Sequence, residues 1–184
     1  MFIRIAVPIA LALAVGAGSA LSQGAQRQST RGGSVELGSS LAALTTTHDG
    51  LAARFRQLGA KATAANATVT DRQALARFVR AEVVPHLEIE SVALFPAFDS
   101  IIGGGYAVPA TLFDLDAISF LIQEVERTAT VSAVDFGARV YALSSALETY
   151  FTKTQLLVLP VLHERLKGPA LDTVLARLAD KSAP

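Results

Sequence analysis

The chain has 184 residues, 51% hydrophobic and 17% charged, with 16 basic and 16 acidic side chains. That suits one domain with a sizeable core, and the balanced charge without a basic run excludes an electrostatic footprint for nucleic acid or an anionic membrane surface. Cysteine is absent, which excludes disulfides, thiol nucleophiles, thiolate metal sites and lipoprotein anchoring. Any metal chemistry must use nitrogen and oxygen ligands, a preference that suits iron, manganese or zinc.

Arg4, an apolar run over residues 5–15 and small residues over 16–20 read as a secretory signal. Gly18-Ser19-Ala20 and Ala20-Leu21-Ser22 both suit signal peptidase. Residues 1–22 are therefore assigned to a signal peptide, and the expected location is secreted or periplasmic. An uncleaved anchor is the alternative, although the apolar stretch is short for a membrane span. Residues 23–38 are polar and rich in Gly and Ser, as a flexible linker would be.

A first helix is expected from Ser39 or Ser40 to Leu58, with Leu41, Leu44, Leu51 and Phe55 at helical spacing and Gly59 as its stop. Thr70-Asp71-Arg72-Gln73 resembles a capping box and opens the second helix. Leu75, Phe78, Val79, Glu82 and His86 share a broad face of that helix. Pro85 removes a backbone donor and bends the chain before His86. Gly103-Gly104-Gly105 is the clearest break. A third helix follows from around residues 109–112 to Thr128, and Ser132 caps a fourth that runs to Leu166 with a bend at Pro160. Gly168-Pro169 then opens a short C-terminal helix. The pattern predicts an all-α chain: an up-down-up-down four-helix bundle over residues 39–167, then a short C-terminal helix and tail over 168–184.

His86 and Glu90 stand one helical turn apart, so both side chains point at one spot, and an imidazole with a carboxylate there is half of a transition-metal site. The frame repeats weakly. Leu44, His48, His86 and Pro96 parallel Leu112, Asp116, Tyr150 and Pro160, as two related helical hairpins would.

Thr47-His48-Asp49-Gly50-Leu51, His86-Leu87-Glu88-Ile89-Glu90 and the trailing Leu94-Phe95-Pro96, with a degenerate second half, resemble the hemerythrin-like (HHE cation-binding) domain family. The resemblance covers about residues 40–166. It implies a helical bundle around a non-haem di-iron centre that handles dioxygen, nitric oxide or iron. It makes His48 and His86 terminal ligands of one iron and Glu90 a carboxylate reaching both irons. The family expects His at Asp116, His at Tyr150 and Glu at Thr154, and with only three His in the chain a five-histidine di-iron site cannot form. Two His and one carboxylate with open positions suit mononuclear non-haem iron. Asp116 and Tyr150 are the further candidate ligands, against the plainer readings of a helix-face charge and a core aromatic.

The expectation is thus a partial metal site, with iron as cofactor, for binding or sensing O2 or NO or for metal handling. No nucleic-acid or membrane partner is expected. No group stands ready as an acid–base partner beyond the ligands, so the chain reads as a binding protein rather than an enzyme. The rival expectation is a metal-free bundle serving as an interaction or structural module, with a His–Glu hydrogen bond in place of the ion.

Overall fold

The computed structural model describes residues 39–179, and all of their regular structure is helical. The signal segment and linker expected over residues 1–38 lie outside the described residues.

Helix α1, Ser39–Thr63, turns Leu41, Leu44, His48, Phe55 and Ala62 inward, the three-, four- and seven-residue intervals of a single stripe. The stop expected at Gly59 does not occur. A Cβ at Gly59 would stand 3.4 Å from Val140, so glycine lies where two helices approach closely. The extra turn buries Ala62, and this packing overrides glycine's intrinsic penalty of about 1 kcal/mol.

Helix α2, Val69–Phe78, begins two residues earlier than expected. Its N-cap is Thr68, whose hydroxyl accepts from the Asp71 N–H, while the Asp71 carboxylate accepts from the Thr68 N–H at 2.9 Å. A carboxylate at the third helical position is a stronger acceptor than Gln73 and is favoured by the positive end of the helix dipole. Lys61 reaches the same carboxylate at 2.9 Å.

The chain continues without a break through a π-helical turn, Val79–Val83, into α3, Val84–Ile102. Pro85 explains the wide turn. Its ring would clash with the carbonyl four residues back and it has no N–H to offer. The Val84 N–H instead bonds the Val79 carbonyl, five residues back. This extra residue per turn shifts the inward stripe. Val83 is fully buried where Glu82 was expected, and Glu82 is exposed. Downstream, Leu87, Glu90, Leu94 and Phe98 continue the buried face.

Gly103, Gly104 and Gly105 all adopt positive φ, a run that side-chain-bearing residues resist. The Asp99 carboxylate accepts from the Ala107 N–H at 2.9 Å across this turn and caps α4, Ala107–Thr128. Helix α5, Ala133–Lys153, is capped by Ser132, whose hydroxyl accepts from the Asp135 N–H. A second π turn, Thr154–Val158, leads into α6, Leu159–Arg165, just before Pro160, and there the Leu159 N–H bonds the Thr154 carbonyl. Leu166 is extended, Gly168 has φ of 54°, and α7, Pro169–Ala179, follows.

The described residues therefore form five continuous helical rods: α1, α2–α3, α4, α5–α6 and α7. Helix α1 packs on α2 and α5, α4 packs on α3 and α5, and α7 lies on α3. One apolar cluster runs through the centre. Arg72 is the buried cation at its end; its Nε donates to the Ala129 carbonyl at 2.7 Å and satisfies the C-terminus of α4.

Candidate metal centre

Three side chains from two rods meet inside the core. His48 comes from the middle of α1. His86 and Glu90 come from consecutive turns of α3, just after the Pro85 bulge. His48 Nε2 lies 2.6 Å from Glu90 Oε1, and His86 Nε2 lies 3.4 Å from the same oxygen. One ligand atom from each residue falls within 4.8 Å of the other two. His48 and Glu90 are completely buried, whereas the His86 side chain keeps 14% of its surface exposed.

Aromatic rings hold the imidazoles. Phe151 stacks on His48 at 4.4 Å between centroids and 18° between planes. His86 meets His48 edge-on at 5.0 Å. Tyr150 packs against both Phe151 and Phe95. Phe151 was not singled out from the sequence, although it follows Leu143 and Leu147 at four-residue intervals and so belongs to the inward stripe of α5.

Burial by itself would raise the pKa of Glu90. Hydrogen bonding and charge from His48, then His86, outweigh it and hold the carboxyl down at about 2. The two imidazoles thus favour the charged form of Glu90 against the cost of its burial. Even so, Glu90 Oε2 and His48 Nδ1 are buried without a hydrogen bond of good geometry, and His86 Nε2 meets Glu90 Oε1 only at the long distance of 3.4 Å. A buried polar atom left unpaired costs about 1–3 kcal/mol, so the set is under-satisfied as it stands.

The donor set fits a divalent ion with nitrogen and oxygen preference. Bonds of about 2.1 Å at angles between 90° and 109° place ligand atoms roughly 3.0–3.4 Å apart. The His86–Glu90 spacing of 3.4 Å matches that range, and the 2.6 Å His48–Glu90 spacing must open by a few tenths of an ångström. The Nδ1 of His48 lacks the carbonyl or carboxylate that normally orients a ligating imidazole. Phe151 performs that orientation by stacking.

Tyr150 is buried beside this group. Burial first, and the neighbouring Glu90 charge second, push its phenol well above the usual range, so it stays protonated. Its hydroxyl lies against the Glu90 carboxylate, short of good hydrogen-bond geometry, and the fully buried Thr154 hydroxyl one turn on has no partner. This side of the core thus carries two hydroxyls where the resemblance expects imidazole and carboxylate.

Asp116 corrects the expectation. It is exposed on α4 and does not belong to the gathered group. The inward stripe of α4 is Thr111, Ile118, Ile122 and Val125, and Asp116 is two residues from Ile118, about 200° around the helix. Asp114, one turn before Ile118, is the acid on the inner flank, where Lys153 pairs with it. The repeat alignment that matched Asp116 to His48 is therefore out of register with the stripe.

A cleft of about 570 Å³ leads to the group from outside. His86 and Glu90 line it, and Leu178 of α7 closes one side. No helix among the described residues is long and apolar enough to cross a membrane. Comparison with family models, with curated proteins and with solved structures found no match to this chain.

Proposed function

We propose that the chain is a hemerythrin-like four-helix bundle that holds one non-haem metal ion, iron, between His48, His86 and Glu90. The observation that carries this reading is the convergence of two imidazoles and a carboxylate on one buried point, with polar atoms of the set left without good hydrogen bonds. A ferrous ion held there supplies open coordination positions for a diatomic ligand such as O2 or NO. The chain's own residues do the rest. Glu90 supplies the compensating negative charge, Phe151 fixes the plane of His48, and the apolar walls exclude bulk water. The Tyr150 phenol, kept protonated, stands as the hydrogen-bond donor on the second face. The role is binding, sensing or metal handling rather than turnover. On this reading the chain works outside the cytoplasm, which the signal-like composition of residues 1–22 supports.

Elemental analysis after purification with iron supplied tests the reading. About one iron per chain, lost in His86→Ala, supports it. A metal-free protein under those conditions overturns it. A visible band that disappears in Tyr150→Phe assigns the phenol as a metal ligand, and retention of iron without such a band assigns it as a donor.

One observation favours a metal-free interaction module. The 2.6 Å His48–Glu90 bond already pairs the two deepest groups. On that reading His86→Ala leaves stability nearly unchanged and metal content stays at zero.

A further inference from the structure

Helix α4 is apolar on two sides. Ile118, Ile122 and Val125 face the core, yet Phe113 and Phe120 are 75% and 59% exposed, and Leu112 is exposed beside them. Phe120 follows Ile118 by two residues, so it points about 200° away from the core stripe. Phe113 stands seven residues before Phe120, which brings it within about 20° of the same outer row. Helices α3 and α5 pack on α4 and leave that row uncovered. A single exposed apolar residue is ordinary, but two phenylalanines and a leucine within little more than two turns form the kind of patch that marks a contact surface.

The row also carries an acid and a base at a fixed interval. Asp116 sits between the two phenylalanines, is exposed, and makes no ion pair among the described residues. Arg127 stands eleven residues on and is exposed as well. Eleven residues are three turns and roughly 20°, so the two side chains project outward in line. Arg127 reaches back to Glu124 at 2.8 Å. Glu124 also has Arg139 at 3.4 Å, so this carboxylate keeps a cation when Arg127 turns outward.

Such a row, acid at one point, base three turns later and an aromatic between, is complementary to itself when reversed. We propose that this face of α4 pairs antiparallel with α4 of a second copy of the chain, about a two-fold axis level with Leu121 and Ile122. Asp116 of each copy then meets Arg127 of the other. The two Phe120 rings meet beside the axis, offset along it by about 4.5 Å. Phe113 reaches the turn that follows α4 in the second copy, where Val131 is exposed. A two-fold contact uses one patch twice and closes on itself. Parallel pairing in register would set acid against acid and base against base, so the charges select the antiparallel arrangement. Insertion of the row into lipid would desolvate Asp116 and Arg127 without pairing them. One helix per copy is small beside the roughly 1,200–2,000 Å² of a stable interface, so the dimer dissociates on dilution. The row faces away from the core, and the pairing does not depend on the metal.

Sedimentation equilibrium of the full chain over a wide range of concentration tests the pairing, and a monomer–dimer equilibrium is the expected result. Asp116→Arg and Arg127→Asp each set like charges against one another, so each should raise the dissociation constant at least about tenfold. The double exchange, Asp116→Arg with Arg127→Asp, restores opposite charges across the axis and should return it to within about threefold of wild type. Phe120→Ser removes the central ring and should weaken the dimer by about tenfold or more. All three positions are exposed, and circular dichroism checks that each variant keeps its fold; Asp116→Arg and Phe120→Ser decide the matter by themselves if Arg127→Asp does not fold. A monomer at every concentration overturns the proposal. So does a dimer indifferent to Phe120→Ser, which would join through another surface, or one that the double exchange fails to restore. Capture of a monomer by phosphatidylcholine vesicles, lost in Phe120→Ser, would give the face to lipid and overturn it as well.

Discussion

Glu90 is fully buried and bonded to His48 at 2.6 Å, a contact that draws its pKa down. Removing one member of a buried pair strands the other, and such losses run to about 3–5 kcal/mol. His48→Ala is expected to destabilise the metal-free protein by that order, read from urea denaturation; a loss under about 1 kcal/mol means that water reaches Glu90 and the core pair is not sealed. Tyr150 behaves in the opposite way. Its hydroxyl is buried against Glu90 outside good hydrogen-bond geometry, so Tyr150→Phe removes a poorly satisfied group while keeping the ring that packs on Phe95 and Phe151. The variant should gain about 1 kcal/mol in the absence of metal. A loss of stability instead would show that the hydroxyl has a partner.

The helices carry their own determinants. Ser132 accepts from the Asp135 N–H at the start of α5, and Ser132→Ala should cost about 1 kcal/mol by equilibrium denaturation. At the start of α2, the Thr68 side chain, the Thr68 backbone and Lys61 together hold the Asp71 carboxyl well below its usual range. The folded state therefore binds that proton less readily than the unfolded chain does. The contribution is fully present above the ordinary Asp pKa of about 4 and fades as pH falls through that value toward the lower folded one. The stability gap between wild type and Asp71→Asn should narrow between about pH 5 and pH 2; a gap independent of pH across that interval contradicts the cap. The two π turns, each just before a proline, were legible only as bends at Pro85 and Pro160. Periodicity counts residues at a constant 3.6 per turn, and a wider turn breaks the count. That is why Glu82 was assigned to the face that Val83 occupies.

A ligand that binds the native state alone stabilises the whole molecule by mass action. Cobalt(II) or ferrous ion at a hundred times its dissociation constant should add about 2.7 kcal/mol, seen as a raised thermal midpoint, with no rise in His86→Ala. An equal rise in the variant would place the ion elsewhere. The sequence by itself determined the helical class, the main helices with their breaks at Gly103–Gly105 and Gly168, and the pairing of His86 with Glu90, because these depend on spacing within one rod. Tertiary structure alone decided what crosses between rods. It turned Asp116 to solvent and Asp114 toward Lys153, laid Phe151 on His48, carried α1 past Gly59, and set Leu178 beside the cleft. The physical reason is that a helix's own period says which residues share a face, whereas burial against neighbouring rods selects the face that turns inward and the level at which side chains meet.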